Sequence, residues 1–227
     1  MKIRTTEILY DYVSADLSWR KKELSVFKSQ VESAERSVRS ALLRASVALL
    51  YAHWEGFVKN AAHAYLCYLA SLKLSYAQLR PELAALSIRS QIVEFEATER
   101  AHLHANLIRQ IREDAASRAH IPTSRDAVRT HSNLNYDRLC DILCSVGCDF
   151  SRYERYKDLI DEQLLAPRNR IVHGEEDYIR LPEWEDIREE MIALMDDISG
   201  QILNSAILKT YLANDSAENL PVAEAPI

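Results

Sequence analysis

Residues 40–72, SALLRASVALLYAHWEGFVKNAAHAYLCYLASL, decide the fold class. Leu43, Val47, Leu50, Trp54, Val58, Ala61, Tyr65 and Leu69 step by threes and fours, and Gly56 is the only glycine in the run. That spacing predicts one long buried helix, because residues three and four apart share a helical face. Upstream, Ile8, Val13, Leu17, Leu24, Phe27 and Val31 repeat with charges between them, so a second long amphipathic helix is expected over Thr6 to Ser37.

Downstream, Pro81 suits a first helical turn, and a third helix is expected from Glu82 towards Glu113. Residues 114–132 contain Pro122 and little apolar periodicity, which predicts a mobile loop. Asn133 reads as the cap of a helix from Leu134 to Val146, which Gly147 ends. A helix-like stretch from Tyr153 to Leu165 leads to Pro167, read as a break. A last helix is expected from Pro182 to about Tyr211, and a frayed tail over 214–227.

Composition agrees with the pattern. The 227 residues include four glycines and six prolines, and 48% are apolar, which favours an almost wholly helical chain with one good core. The reading is therefore an all-α bundle of five or six helices in a single domain, 1–213. The N-terminus lacks the apolar core of a signal peptide, and no apolar run reaches membrane-spanning length, so a cytoplasmic protein without a membrane partner is expected. Cys67, Cys140, Cys144 and Cys148 then read as reduced thiols in small apolar positions, without a familiar zinc spacing.

The chemistry concentrates in Arg168-Asn169-Arg170-Ile171-Val172-His173, followed by Gly174. A guanidinium that can grip phosphate, a hydrogen-bonding amide and an imidazole titrating near neutrality are what cleavage of RNA without a metal requires. Arg168, Asn169 and His173, in this setting, resemble the motif of HEPN superfamily RNases. The run from Ala41 through Tyr65 is similar to the corresponding helix of bacterial HEPN-like nucleases. The resemblance implies a HEPN-like helical bundle and an endoribonuclease acting by 2′-hydroxyl transesterification. It also implies a composite site in the cleft of a homodimer, no cofactor or metal, and a toxin-antitoxin or phage-defence setting with an antitoxin or defence-system partner protein. The alternative it leaves is a noncatalytic HEPN-type module binding RNA, nucleotides or protein.

Around the motif, Glu55 and Arg170 are the expected supporting residues. On an ideal helix Arg168 and His173 lie about 140° apart, so convergence within one chain is not assured. Either a local break near Pro167 or a symmetric pair of motifs would supply what one straight helix lacks. The net charge of -6 does not advertise a nucleic-acid binder, so a local basic surface is needed. Arg100 to His131 carries six arginines against three acids, and Arg109, Arg112, Arg118, Arg125 and Arg129 are the expected RNA contacts.

Overall fold

In a computed structural model, residues 2–97, 99–113, 115–130 and 133–213 are described, without the side chains of residues 110 and 112. Among these the chain folds into α1 (Thr6–Ser33), α2 (Arg36–Leu72), α3 (Pro81–Ser87), α4 (Arg89–Glu96), α5 (Ala101–Glu113), α6 (Tyr136–Ser145), α7 (Ala166–Val172) and α8 (Leu181–Ile207). No strand is present among the described residues, only two isolated bridges. The expected tail over 214–227 lies outside them.

The all-α reading holds, with α2 at the centre. All eight predicted spine residues are buried, and from Ala61 to Leu69 every side chain is buried, as a helix packed on all sides requires. α1 and α8 pack on α2 and on each other, and α7 lies against α2. On α1 the buried stripe runs through Leu9, Val13, Leu17, Leu24 and Val31, while Ile8, expected inside, is exposed.

The count of helices exceeds the five or six expected because the stretch from Glu82 to Glu113 is three helices instead of one. Leu83 and Leu86 are buried, but α4 buries nothing, and Val93, Ile108 and Ile111 are exposed. Packing therefore does not hold the segment straight. The Ser87 hydroxyl also donates to the Leu83 carbonyl at 2.9 Å, a bond that competes with helical continuation just before the Ile88 joint.

The expected break at Pro167 is corrected as well. The backbone passes through a 3₁₀ segment (Ser151–Tyr156) and a π-helical segment (Leu159–Leu165) directly into α7. The Ala166 N–H donates to the Asp161 carbonyl, five residues back. Widening the helix here admits a proline that has no N–H and whose ring would crowd an α-helical carbonyl four residues earlier.

Residues 115–130 hold no α-helix, yet their backbone is tied to the body. The N–H groups of Tyr76 and Ala77 donate to the Ser117 and Ala115 carbonyls, and the Ala119 N–H to the Leu74 carbonyl. Ala119, Ile121, Val128 and Thr130 are buried.

A polar seam joins α1 to α2. Buried Arg20 is held by both Asp16 oxygens (2.9 and 3.1 Å), and its Nη1 donates to the His53 carbonyl and lies 3.4 Å from His53 Nδ1. The Glu23 carboxylate sits 2.7 Å from His53 Nε2, and the Trp19 ring meets the imidazole edge-on at 5.1 Å. Nδ1 thus accepts and Nε2 carries the proton. Burial, and then the Arg20 charge, push the His53 pKa below its ordinary value. Gly56 makes the close approach possible: a Cβ there would lie 2.8 Å from Arg20 Nη1.

Candidate active site

α7 presents the motif. Its C-terminus closes on Gly174, whose φ of +83° suits the residue without a Cβ. The Glu175 N–H returns to the Arg170 carbonyl (2.9 Å), and the His173 N–H donates to the Asn169 carbonyl (3.1 Å). From α2, Arg44 Nη2 grips the Glu175 carbonyl at 2.8 Å, so the backbone on both sides of His173 is fixed.

Arg168 is half-buried and organised from three directions. Its guanidinium carbon stands 4.4 Å from the centroid of the Tyr51 ring, a cation–π geometry. Nη1 donates to Asn169 Oδ1 (2.8 Å) and to Asn133 Oδ1 (3.2 Å), which uses both of its protons. Among the described residues nothing engages Nε or Nη2. That edge carries the paired N–H groups that match two phosphate oxygens.

Tyr51 is itself fixed, its hydroxyl accepting from the Leu134 N–H at 2.6 Å. Burial, with the Glu55 carboxylate beside it, pushes the phenol pKa up to about 12, so it stays neutral. Glu55, one turn along α2, accepts from Lys59 (3.2 Å) and from the Thr130 hydroxyl. It reaches neither His173 nor Arg168 by a hydrogen bond; it anchors the segment that brings Asn133 to Arg168.

His173 is exposed, and among the described residues no hydrogen bond or ion pair engages its ring. The structure therefore brings Arg168 and Asn169 together and leaves His173 unbonded to either side chain. Arg170 is paired with Asp177 (2.9 Å), outside that cluster.

The matched family model, described as MAE_28990-like HEPN, spans residues 9–211. The chain belongs to this HEPN family. No curated protein and no solved structure gives a match. The match takes in the HEPN motif, the α2 spine and the segment between them.

Of the expected RNA contacts in this HEPN chain, Arg125 and Arg129 line one cavity with residues of α2. Arg109 lies on α5 and bonds Asn106, and Arg118 bonds the Ala70 carbonyl far along α2. The Arg112 side chain falls outside the described residues.

Two participants are not marked in the sequence. Asn133, taken for the cap of α6, supports Arg168; the cap is Asn135, which accepts from the Arg138 N–H at 2.9 Å. Tyr51 is not singled out by the apolar spacing of α2, and nothing in a single sequence distinguishes a buried ring from one that carries a guanidinium.

The Cys67, Cys140, Cys144 and Cys148 thiols are unpaired, and no metal-binding group of side chains occurs among the described residues. No described helix is long and apolar enough to cross a membrane.

Proposed function

We propose that this HEPN chain is a metal-independent endoribonuclease. The observation that carries the reading is Arg168, preorganised by Tyr51, Asn133 and Asn169 with its Nε/Nη2 edge unengaged by any described residue. A guanidinium so placed contributes most where charge builds up on a pentavalent phosphorus, since no reorganisation is needed during reaction. His173 removes the proton of the ribose 2′-hydroxyl, the 2′-oxygen bonds to phosphorus, and the bond to the 5′-oxygen breaks with that oxygen taking up a proton. The products are a 2′,3′-cyclic phosphate and a 5′-hydroxyl, and DNA resists. Asn169 acts through Arg168.

Since no described residue of its own chain engages the His173 ring, we place it in a homodimer cleft where two motifs face each other. Val172, its neighbour in sequence, and Tyr178, five residues on, are exposed and offer apolar surface for such a contact. The toxin-antitoxin or phage-defence setting, with a controlling antitoxin or defence-system protein, rests on family membership.

The same unengaged ring favours a second reading, a noncatalytic HEPN module that binds RNA through Arg168. Incubating purified protein with RNA in EDTA, and mapping the ends formed, separates the two. Cleavage with cyclic-phosphate ends, lost in both Arg168→Ala and His173→Ala proteins that still fold, is expected. Intact RNA with wild-type protein leaves the binding module.

A further inference from the structure

A cavity of about 590 Å³ opens between α2 and the segment ending at Thr130. Lys59, Arg125 and Arg129 contribute three cations to it, and Asp126 is the only acid among its lining residues. The larger cavity, about 690 Å³, sets Glu82 and Asp141 against Arg89, Arg138 and the shared Arg129, a weaker bias. Both arginines are exposed, yet the backbone carrying them is held: the His63 ring bonds the Thr123 carbonyl at 2.9 Å, Val128 is buried, and Thr130 is tied to Glu55.

The wall of this cavity runs into the candidate active site. Thr130 lines it, and the Asn133 N–H donates to the Thr130 carbonyl at 3.1 Å. Asn133 in turn accepts from Arg168. Glu55, bonded to both Lys59 and Thr130, joins the two on the α2 side.

We propose that this cavity is a subsite for the phosphate backbone of single-stranded RNA next to the linkage held by Arg168. This rests on the endoribonuclease reading. Arg125, Arg129 and Lys59 contact phosphate, and His63 is a positioning residue that fixes the segment in front of Arg125. A chain with a net charge of -6 needs such a local concentration of cations to hold a polyanion. Because Asn133 bonds both Thr130 on the cavity wall and Arg168, one strand following that wall reaches both. No Phe, Tyr or Trp is among its lining residues and the His63 ring is committed to the Thr123 carbonyl, so it reads backbone and not base.

The test uses the full chain and a 2′-O-methylated single-stranded oligoribonucleotide, which cannot undergo the cleavage. Its Kd is measured by fluorescence anisotropy across a salt series for wild type and for the Arg125→Gln/Arg129→Gln double variant, with circular dichroism melts to verify folding. Each lost single-strand phosphate contact lowers the slope of log K against log salt by about 0.7, so the double variant should lose about 1.4. With cleavable RNA its KM should rise roughly ten-fold while kcat is retained, because these side chains act away from the reacting phosphorus. An unchanged slope and Kd overturns the subsite, as does failure of the wild type to bind the oligonucleotide. Unchanged binding alongside normal wild-type cleavage overturns the subsite alone. A reduced slope in a protein that does not cleave supports the subsite and overturns the nuclease reading.

Discussion

Arg168 has five N–H donors, and the two on Nη1 are committed to asparagines while the Tyr51 ring supports the plane from one face. These supports divide cleanly by substitution. Tyr51→Phe keeps the ring under the guanidinium but leaves the buried Leu134 N–H without its acceptor, which costs about 1–3 kcal/mol of stability. Thermal melts should show that loss while kcat stays close to wild type. Asn133→Ala removes a bond at the surface, so the melt should hardly move while kcat falls roughly 5- to 10-fold, on the order of 1 kcal/mol of transition-state stabilisation. The reverse pattern, with Asn133→Ala fully active, would remove it from the site. At this scale the motif itself was legible, since Arg168, Asn169 and His173 are adjacent in sequence. Asn133 was not, because an asparagine ahead of an apolar run reads as a cap until a distant arginine is seen to claim it.

At the scale of elements, the α1–α2 seam makes two further predictions. Gly56→Ala gains about 1 kcal/mol of helix propensity but drives a methyl to within 2.8 Å of a guanidinium that both Asp16 oxygens hold in place. Overpacking of this kind costs about 1–3 kcal/mol, so a net destabilisation is expected, read as a lower melting temperature. An unchanged or higher one would mean that Arg20 moves freely. The second concerns pH. His53 faces Arg20, Asp16, Glu23 and Trp19 of α1, and its folded pKa lies below the unfolded value of 6.5. Below that value the unfolded chain binds more protons, so the stability from neutral His53 is present above about pH 6.5 and is lost as pH falls through 6.5 towards the folded pKa. Denaturant midpoints measured from pH 7.5 down to about 5 should decline more steeply in wild type than in His53→Gln. Most elements could be read from apolar periodicity. The third helix could not, because α4 buries nothing and leaves no stripe to read, and the π segment could not, because a proline announces a disturbance without saying how the backbone absorbs it.

Across the whole molecule, the all-α class followed from residues 40–72 together with the scarcity of glycine and proline, since a helix buried on all sides needs cover and a chain with so few turn residues supplies it as helices. The relation between Arg168 and His173 is where one chain stops being informative, and a dimer is the arrangement proposed above. Mixing inactive Arg168→Ala protein with inactive His173→Ala protein should restore part of the RNase activity, as each mixed pair retains one intact arginine and one intact histidine across the interface. No recovery on mixing, with a fully active monomer in sedimentation, would return both roles to a single chain. The three tryptophans add a built-in optical probe. Trp54 and Trp184 are fully enclosed and Trp19 is half exposed with its indole against His53, so their emission differs in colour and in acid response. An imidazolium quenches a neighbouring indole, and acidification should therefore dim the red-shifted Trp19 component before the enclosed pair shifts, giving protonation of the seam and loss of the fold separate signals in one spectrum.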